Sequence, residues 1–109
     1  MLTGEPFKLI ELRRTAHQRA KIQDNVFAAV SPEDYGWIKE HTWTLNISGI
    51  KRLYAYTINK SNGKYQYMGM ARMILKRAGP LAENEIAEHQ NGYTLDNRRS
   101  NLTAAKSRR

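Results

Sequence analysis

The alternation between Trp43 and Met70 constrains the fold more than any other stretch. Trp43, Leu45 and Ile47 alternate with Thr44 and Asn46, and Ser48-Gly49 ends that run. A second run, Leu53 to Ile58, carries Tyr54 and Tyr56 on one side and Leu53, Ala55 and Thr57 on the other. Asn59 to Gly63 reads as a hairpin turn and Tyr65 to Met70 as the return strand. Because successive side chains of a strand point to opposite faces, this pattern predicts an antiparallel sheet of about three strands.

The helical signals flank that sheet. Ser31-Pro32-Glu33-Asp34 offers a Ser N-cap, Pro at the first helical position and acids in the first turn, so a helix is expected from here to about His41, with Tyr35, Trp37 and Ile38 toward the core. From Met70 the period changes: Met70, Met73, Ile74 and Arg77 form one helical stripe that ends at Gly79-Pro80. Shorter strands are expected at Lys8 to Leu12, Val26 to Val30 and Glu83 to Ala87, and a last helix, capped by Asp96 with Leu102 and Ala105 inward, to about Lys106. Trp37, Trp43, Met68, Met70 and Met73 are expected in packing rather than in binding.

With 109 residues the chain has room for one domain, with a sheet-and-helix part over 7–82 and a second part over 83–109. It has no cysteine, which excludes disulfides and thiolate zinc sites. Eighteen Lys and Arg against ten Asp and Glu give a net charge of +8, the balance of a protein that meets a polyanion. Nucleic acid leads as the partner and an anionic membrane follows. No apolar run approaches the roughly 18 residues of a spanning helix. The start, MLTGEPFKLIEL, lacks the basic region and small-residue cleavage site of a signal peptide. A soluble, cytoplasmic protein is the expectation.

The basic residues fall in groups. Arg13, Arg14, His17, Arg19 and Lys21 form a patch that would lie against phosphates as a loop or edge, or stand as a solvated face. Arg52, Lys60, Lys64, Arg72, Lys76 and Arg77 would extend such a face, and Lys106, Arg108 and Arg109 close the chain. His17 and His41 have no evident partner.

The polar run AEHQNGYTLDNRRSNL, Ala87 to Leu102, has no apolar pattern to explain it. It puts Glu88 beside His89, then an Asn91-Gly92 turn, then Asp96-Asn97 and the pair Arg98-Arg99. An imidazole can take a proton from water, and a carboxylate can hold a divalent cation that neutralises charge on a phosphate. One His and one Glu are too few ligands for zinc but suit Mg²⁺, which keeps several waters. Asn97 is of the type that locks a loop by side-chain to backbone bonds, and Arg98 and Arg99 would grip phosphates. A Glu-His pair followed by Asn-Gly is also what an ordinary surface turn contains.

These residues resemble the HNH endonucleases, in the phage-type subgroup often found with an AP2-like DNA-binding domain. The core pattern stands here as Glu88-His89, Asn91-Gly92, Asp96-Asn97-Arg98 and Asn101-Leu102. SPEDYGWIKEHTW, Tyr54-Ala55-Tyr56, YMGMARMIL and Gly79-Pro80 also look like this subgroup, so the similarity covers roughly residues 7 to 109. It implies an α+β fold, a small antiparallel sheet with short helices and a C-terminal ββα-metal motif in 83–109. It further implies hydrolysis of double-stranded DNA to a 5′-phosphate and a 3′-hydroxyl, with Mg²⁺ (or Mn²⁺) as the metal. His89 would activate water, Glu88 would bind the metal, and Asn97 would orient the histidine by holding the loop, with Asn91 and Asn101 as supporting positions. The sequence departs from the pattern at Glu88, where the family usually has Asp, and at Ala71, where the subgroup usually has a histidine that supports the site or meets DNA. A further Asn, the family's second metal ligand, would fall just past Arg109.

Three functions follow as expectations: a metal-dependent DNA endonuclease or nickase, acting as a monomer or homodimer; a catalytically weakened or inactive DNA-binding protein on the same scaffold; and, less favoured, an RNA-binding domain whose tyrosines stack on bases.

Overall fold

The computed structural model describes residues 5–48 and 52–106. In chain order these form β1 (Lys8–Glu11), α1 (Ala16–Lys21), β2 (Phe27–Val30), α2 (Pro32–Ile38), β3 (Thr44–Ser48), β4 (Arg52–Ser61), β5 (Lys64–Gly69), α3 (Met70–Ala78), β6 (Glu85–His89), β7 (Asp96–Asn97), a short 3₁₀ turn (Arg99–Asn101) and β8 (Leu102–Lys106). The result is a small mixed α+β domain. Arg108 and Arg109, two of the expected DNA contacts, lie outside the described residues.

The expected meander is present. Strands β3, β4 and β5 pair antiparallel in that order, with Leu45 opposite Ala55 and Ile58 opposite Tyr67. Its hairpin turn is tighter than the expected five residues. Asn62 and Gly63 alone make it, at φ 53° and 75°, so the strands run on through Lys60 and Ser61. Two positive φ values are the type I′ turn that Asn-Gly favours, because its twist matches that of the strands. Leu45, Ala55 and Thr57 lie buried on one face, while Tyr65 and Tyr67 stand on the other.

A second sheet has the order β1-β2-β7, with β2 and β7 parallel. Arg13 joins the two sheets: its backbone N–H donates to the Trp43 carbonyl and its carbonyl accepts from the Leu45 N–H, both at 2.8 Å. The core between the sheets and helices holds Ile10, Leu12, Ala28, Val30, Ile38, Trp43, Leu45, Ala55, Met70, Ile74 and Leu102. Trp43 is buried as expected and donates to the Ile38 carbonyl. Trp37 is half-buried, bonded to Asp34 and covered by the Arg77 guanidinium at 4.4 Å from the ring centroid.

Three expectations are corrected. The basic patch, expected as a loop or edge, bridges β3 at Arg13 and then forms α1, started by a capping box in which Thr15 accepts from the Gln18 N–H and Gln18 accepts from the Thr15 N–H. Helix α2 stops at Ile38 rather than His41, and Ser31, at its N-cap position, makes no capping bond; its hydroxyl accepts instead from the Arg99 N–H. The helix expected over Asp96 to Lys106 does not form. Strand β6 needs a partner for its backbone groups, and β8 supplies it, running antiparallel with His89 opposite Leu102 and Glu88 opposite Thr103. Helix α3, earlier in the chain, packs against this ribbon and against β7. Among the described residues no helix is long and apolar enough to cross a membrane.

Candidate active site

The polar run folds into a loop closed on itself by side-chain bonds. Asn91, after the ribbon strand β6, and Asn101, before β8, face one another: the Asn91 N–H donates to Asn101 Oδ1, and Asn101 Nδ2 donates to Asn91 Oδ1, both at 2.9 Å. Asn101 Nδ2 also reaches the Asp96 carbonyl at 2.9 Å, and Asn91 Nδ2 donates to Asp96 Oδ2 at 2.8 Å. Gly92 takes φ 80° beside Asn91, the left-handed turn for which the Asn-Gly pair is suited. Two residues past Asp96, Arg98 closes a bidentate pair, Nε to Oδ1 and Nη2 to Oδ2, each at 2.8 Å. Asp96 and Arg98 are both buried. Burial pushes the Asp96 carboxyl up, but bonds from Arg98, Asn91 and the Arg98 backbone, together with the Arg98 charge, outweigh it and leave its pKa below the ordinary 3.8. The hydrogen bond from Asp96 raises the Arg98 pKa against the opposing effect of burial.

Beside this knot stands His89. Its Nε2 lies 2.7 Å from Asn97 Oδ1, and Asn97 Nδ2 donates to Met70 Sδ at 3.2 Å. A thioether sulfur has no hydrogen to give, so the amide must turn its NH₂ toward Met70 and its oxygen toward the ring. The Asn97 oxygen thus faces Nε2. Nδ1, the other ring nitrogen, has no hydrogen-bond partner among the described residues. Asn97 thus orients the histidine by a direct bond, not through the loop as the sequence suggests. The loop is held by Asn91, Asp96, Arg98 and Asn101.

His89 and Asn97 line a cavity of about 550 Å³, within the usual range of ligand sites. Its other walls are Tyr54, Tyr56 and Tyr67 from the meander and Ala71 and Arg72 from the start of α3. Thr94 closes an edge, its hydroxyl donating to the Leu53 carbonyl. Ala71 therefore sits where a longer side chain at that position would enter the same space. Arg72 is fixed by donating to the Glu85 and Ala82 carbonyls, which holds a positive charge at the cavity's edge.

Glu88 is not part of this cavity. Burial alternates along β6, with Ala87 and His89 lining the cavity and Glu88 exposed between them. Adjacent positions of a strand face opposite ways, so the carboxylate and the imidazole diverge. The Asp96 carboxylate is taken up by Arg98 and Asn91 and does not line the cavity. Among the described residues no three His, Asp or Glu side chains converge as a metal site. The residues present do not fit a divalent ion beside His89.

The other expected DNA contacts divide. Arg98 is buried with Asp96, and Arg99 forms a bidentate pair with the buried Asp34, Nε to Oδ2 at 2.9 Å and Nη2 to Oδ1 at 2.8 Å, with Glu33 at 3.4 Å. The Asp34 bond is also the main reason that the Arg99 pKa is raised. Arg14 donates to the Ile22 and Asp24 carbonyls and holds that loop. These three guanidiniums tie parts of the fold together. Arg13, Arg19, Lys21, Lys76 and Lys106 are exposed. Sequence reasoning missed Met70 as the partner that fixes Asn97 and Asp34 as the anchor of Arg99; no local pattern marks either, since each contact joins distant parts of the chain.

Compared with protein-family models, with curated proteins and with solved structures, the chain matches none.

Proposed function

We propose that the protein is an HNH-type DNA endonuclease or nickase in which His89 is the general base. The observation that carries this reading is the placement of His89: Asn97 Oδ1 holds Nε2 at 2.7 Å, and Nδ1 has no hydrogen-bond partner among the described residues on a ring that lines a cavity edged by Arg72. In the reaction, Nδ1 accepts a proton from water as the water oxygen bonds to phosphorus. The P–O3′ bond breaks, the 3′ oxygen takes a proton from solvent, and a 5′-phosphate remains. Arg72 supplies fixed positive charge toward the phosphate. Asn97 is a positioning residue, as it touches the imidazole and not the substrate. The helix expected within 83–109 is absent among the described residues, so a ββα arrangement in this proposal would have to draw its helix from α3, which precedes the β6–β8 ribbon and packs on it.

Mg²⁺, or Mn²⁺ in its place, belongs to this proposal through the resemblance alone, with Glu88 as the implied ligand. Because Glu88 leaves β6 on the face away from His89, no step is assigned to it. The same divergence favours a second reading, a DNA-binding protein of weakened or absent catalysis on this scaffold.

Supercoiled plasmid incubated with the protein and Mg²⁺ or Mn²⁺ separates the two. Nicking that falls by about 10² to 10⁴ in His89→Ala, the usual share of a general base, supports the nuclease. Intact plasmid with both proteins, beside DNA binding that weakens with salt, leaves the second reading.

A further inference from the structure

The meander leaves one of its faces open, and that face is aromatic. Register places Tyr54, Tyr56 and Ile58 of β4 on the same side as Tyr65 and Tyr67 of β5. Tyr56 lies opposite Gly69, which has no side chain, and its ring leans to the diagonal neighbour Tyr67, with centroids 5.4 Å apart and planes at 56°. Cross-strand packing accounts for the half-buried Tyr54 and Tyr56. It does not account for Tyr65 and Tyr67, which are 68% and 70% exposed, or for Ile58 at 47%. Contiguous exposed apolar side chains mark a contact surface.

The page also says what kind of partner covers it. The chain carries +8. Lys60 shares this face and sits 5.5 Å from the Tyr65 ring centroid. Arg72 stands where the tyrosines meet the His89 cavity, and Tyr54, Tyr56 and Tyr67 line that cavity directly. Cations among exposed ring faces suit a polyanion that has flat apolar parts of its own. A closed duplex offers only base edges and backbone, because its base faces are stacked on one another. Unpaired bases offer their faces, and stacking on aromatic rings is how sequence-tolerant single-strand sites are built.

We infer that the open face of β3–β4–β5 is a stacking platform for unpaired DNA bases, and that it delivers to His89 a phosphate of a locally single strand. The delivery and the choice of DNA over RNA rest on the nuclease reading; the stacking platform itself does not.

Binding is measured by fluorescence anisotropy in EDTA, with labelled oligothymidine and with a duplex of the same length. The single strand is expected to bind more tightly, and Tyr65→Ala and Tyr67→Ala each to weaken it by about 5- to 100-fold, the effect of one lost stacking partner. Tyr67→Phe, which keeps the ring, should restore binding. Removing an uncharged ring should leave the salt dependence unchanged, whereas Lys60→Ala should reduce its slope. Tyrosine variants that bind oligothymidine like the parent, with thermal melting showing them folded, overturn the platform, as does tighter binding of oligouridine than of oligothymidine for its assignment to DNA. His89→Ala run in the plasmid assay with Mg²⁺ or Mn²⁺, beside this titration, keeps the two readings apart. Lost single-strand binding in Tyr67→Ala beside unchanged nicking in His89→Ala sinks the nuclease and keeps the platform; the converse keeps the nuclease alone.

Discussion

The His89 cavity has two walls made in opposite ways. On one side, the loop from Asn91 to Asn101 ties Asn91, Asp96, Arg98 and Asn101 to one another, and its carboxylate and guanidinium are buried. On the other, the tyrosine face of the meander exposes large rings with little to hold them but neighbouring rings. The polar residues, which look like the functional set, are mostly committed to the fold. The apolar ones, which look like core, stand exposed. Buried polar groups are costly unless fully satisfied, so a saturated network gives rigidity; an exposed ring costs the fold little and keeps its contact area available.

That contrast predicts unequal responses to mutation. The largest falls on Asp96→Ala, which strands Arg98 as a buried unpaired charge and should cost about 3–5 kcal/mol in urea unfolding. A loss below about 1 kcal/mol would mean that the loop is not a rigid wall. Acid should act on the same pair more gradually. The folded pKa of Asp96 lies below its ordinary 3.8. Its stabilisation is therefore fully present above that value and fades as pH falls from there through the folded value. Thermal melting should fall in that acid range, and Asp96→Asn should remove this part of the dependence. The smallest change is expected on the opposite wall: Tyr67→Ala should alter stability by no more than about 0.5 kcal/mol, in line with exposed positions elsewhere. A larger loss would show the rings to be packing after all.

How far the chain could be read in advance follows the same division. The meander, α2, α3 and the strands β1, β2 and β6 were legible because period and punctuation are local properties. The Thr15-x-x-Gln18 capping box was equally local, yet it was hidden inside a run of charges. The final segment misled for a physical reason. Asp96 has the chemistry of a helix cap, but its carboxylate is claimed by Arg98 and Asn91, and β6 has backbone groups that only another strand can satisfy. At the site, His89 and Asn97 could be singled out from residue type. The separation of Glu88 from His89 was not legible, because the expected strand ended at Ala87; β6 runs on to His89, and its alternation sends the two side chains apart. The pairing of Arg99 with Asp34 and of Asn97 with Met70 joins residues 65 and 27 positions apart, and no local pattern encodes that.

The parallel pairing of β2 with β7, Ala29 beside Asp96 and Val30 beside Asn97, has a consequence in time. Contacts between such remote positions must wait for the loop between them to close, and folds rich in them form slowly. During synthesis the meander can assemble as soon as its own residues emerge, whereas the residue that orients the imidazole gains its strand neighbour only when the two thirds of the chain between them have been made. The tyrosine face would then be formed before the imidazole is held in place, so the two walls of one cavity would be completed at different times.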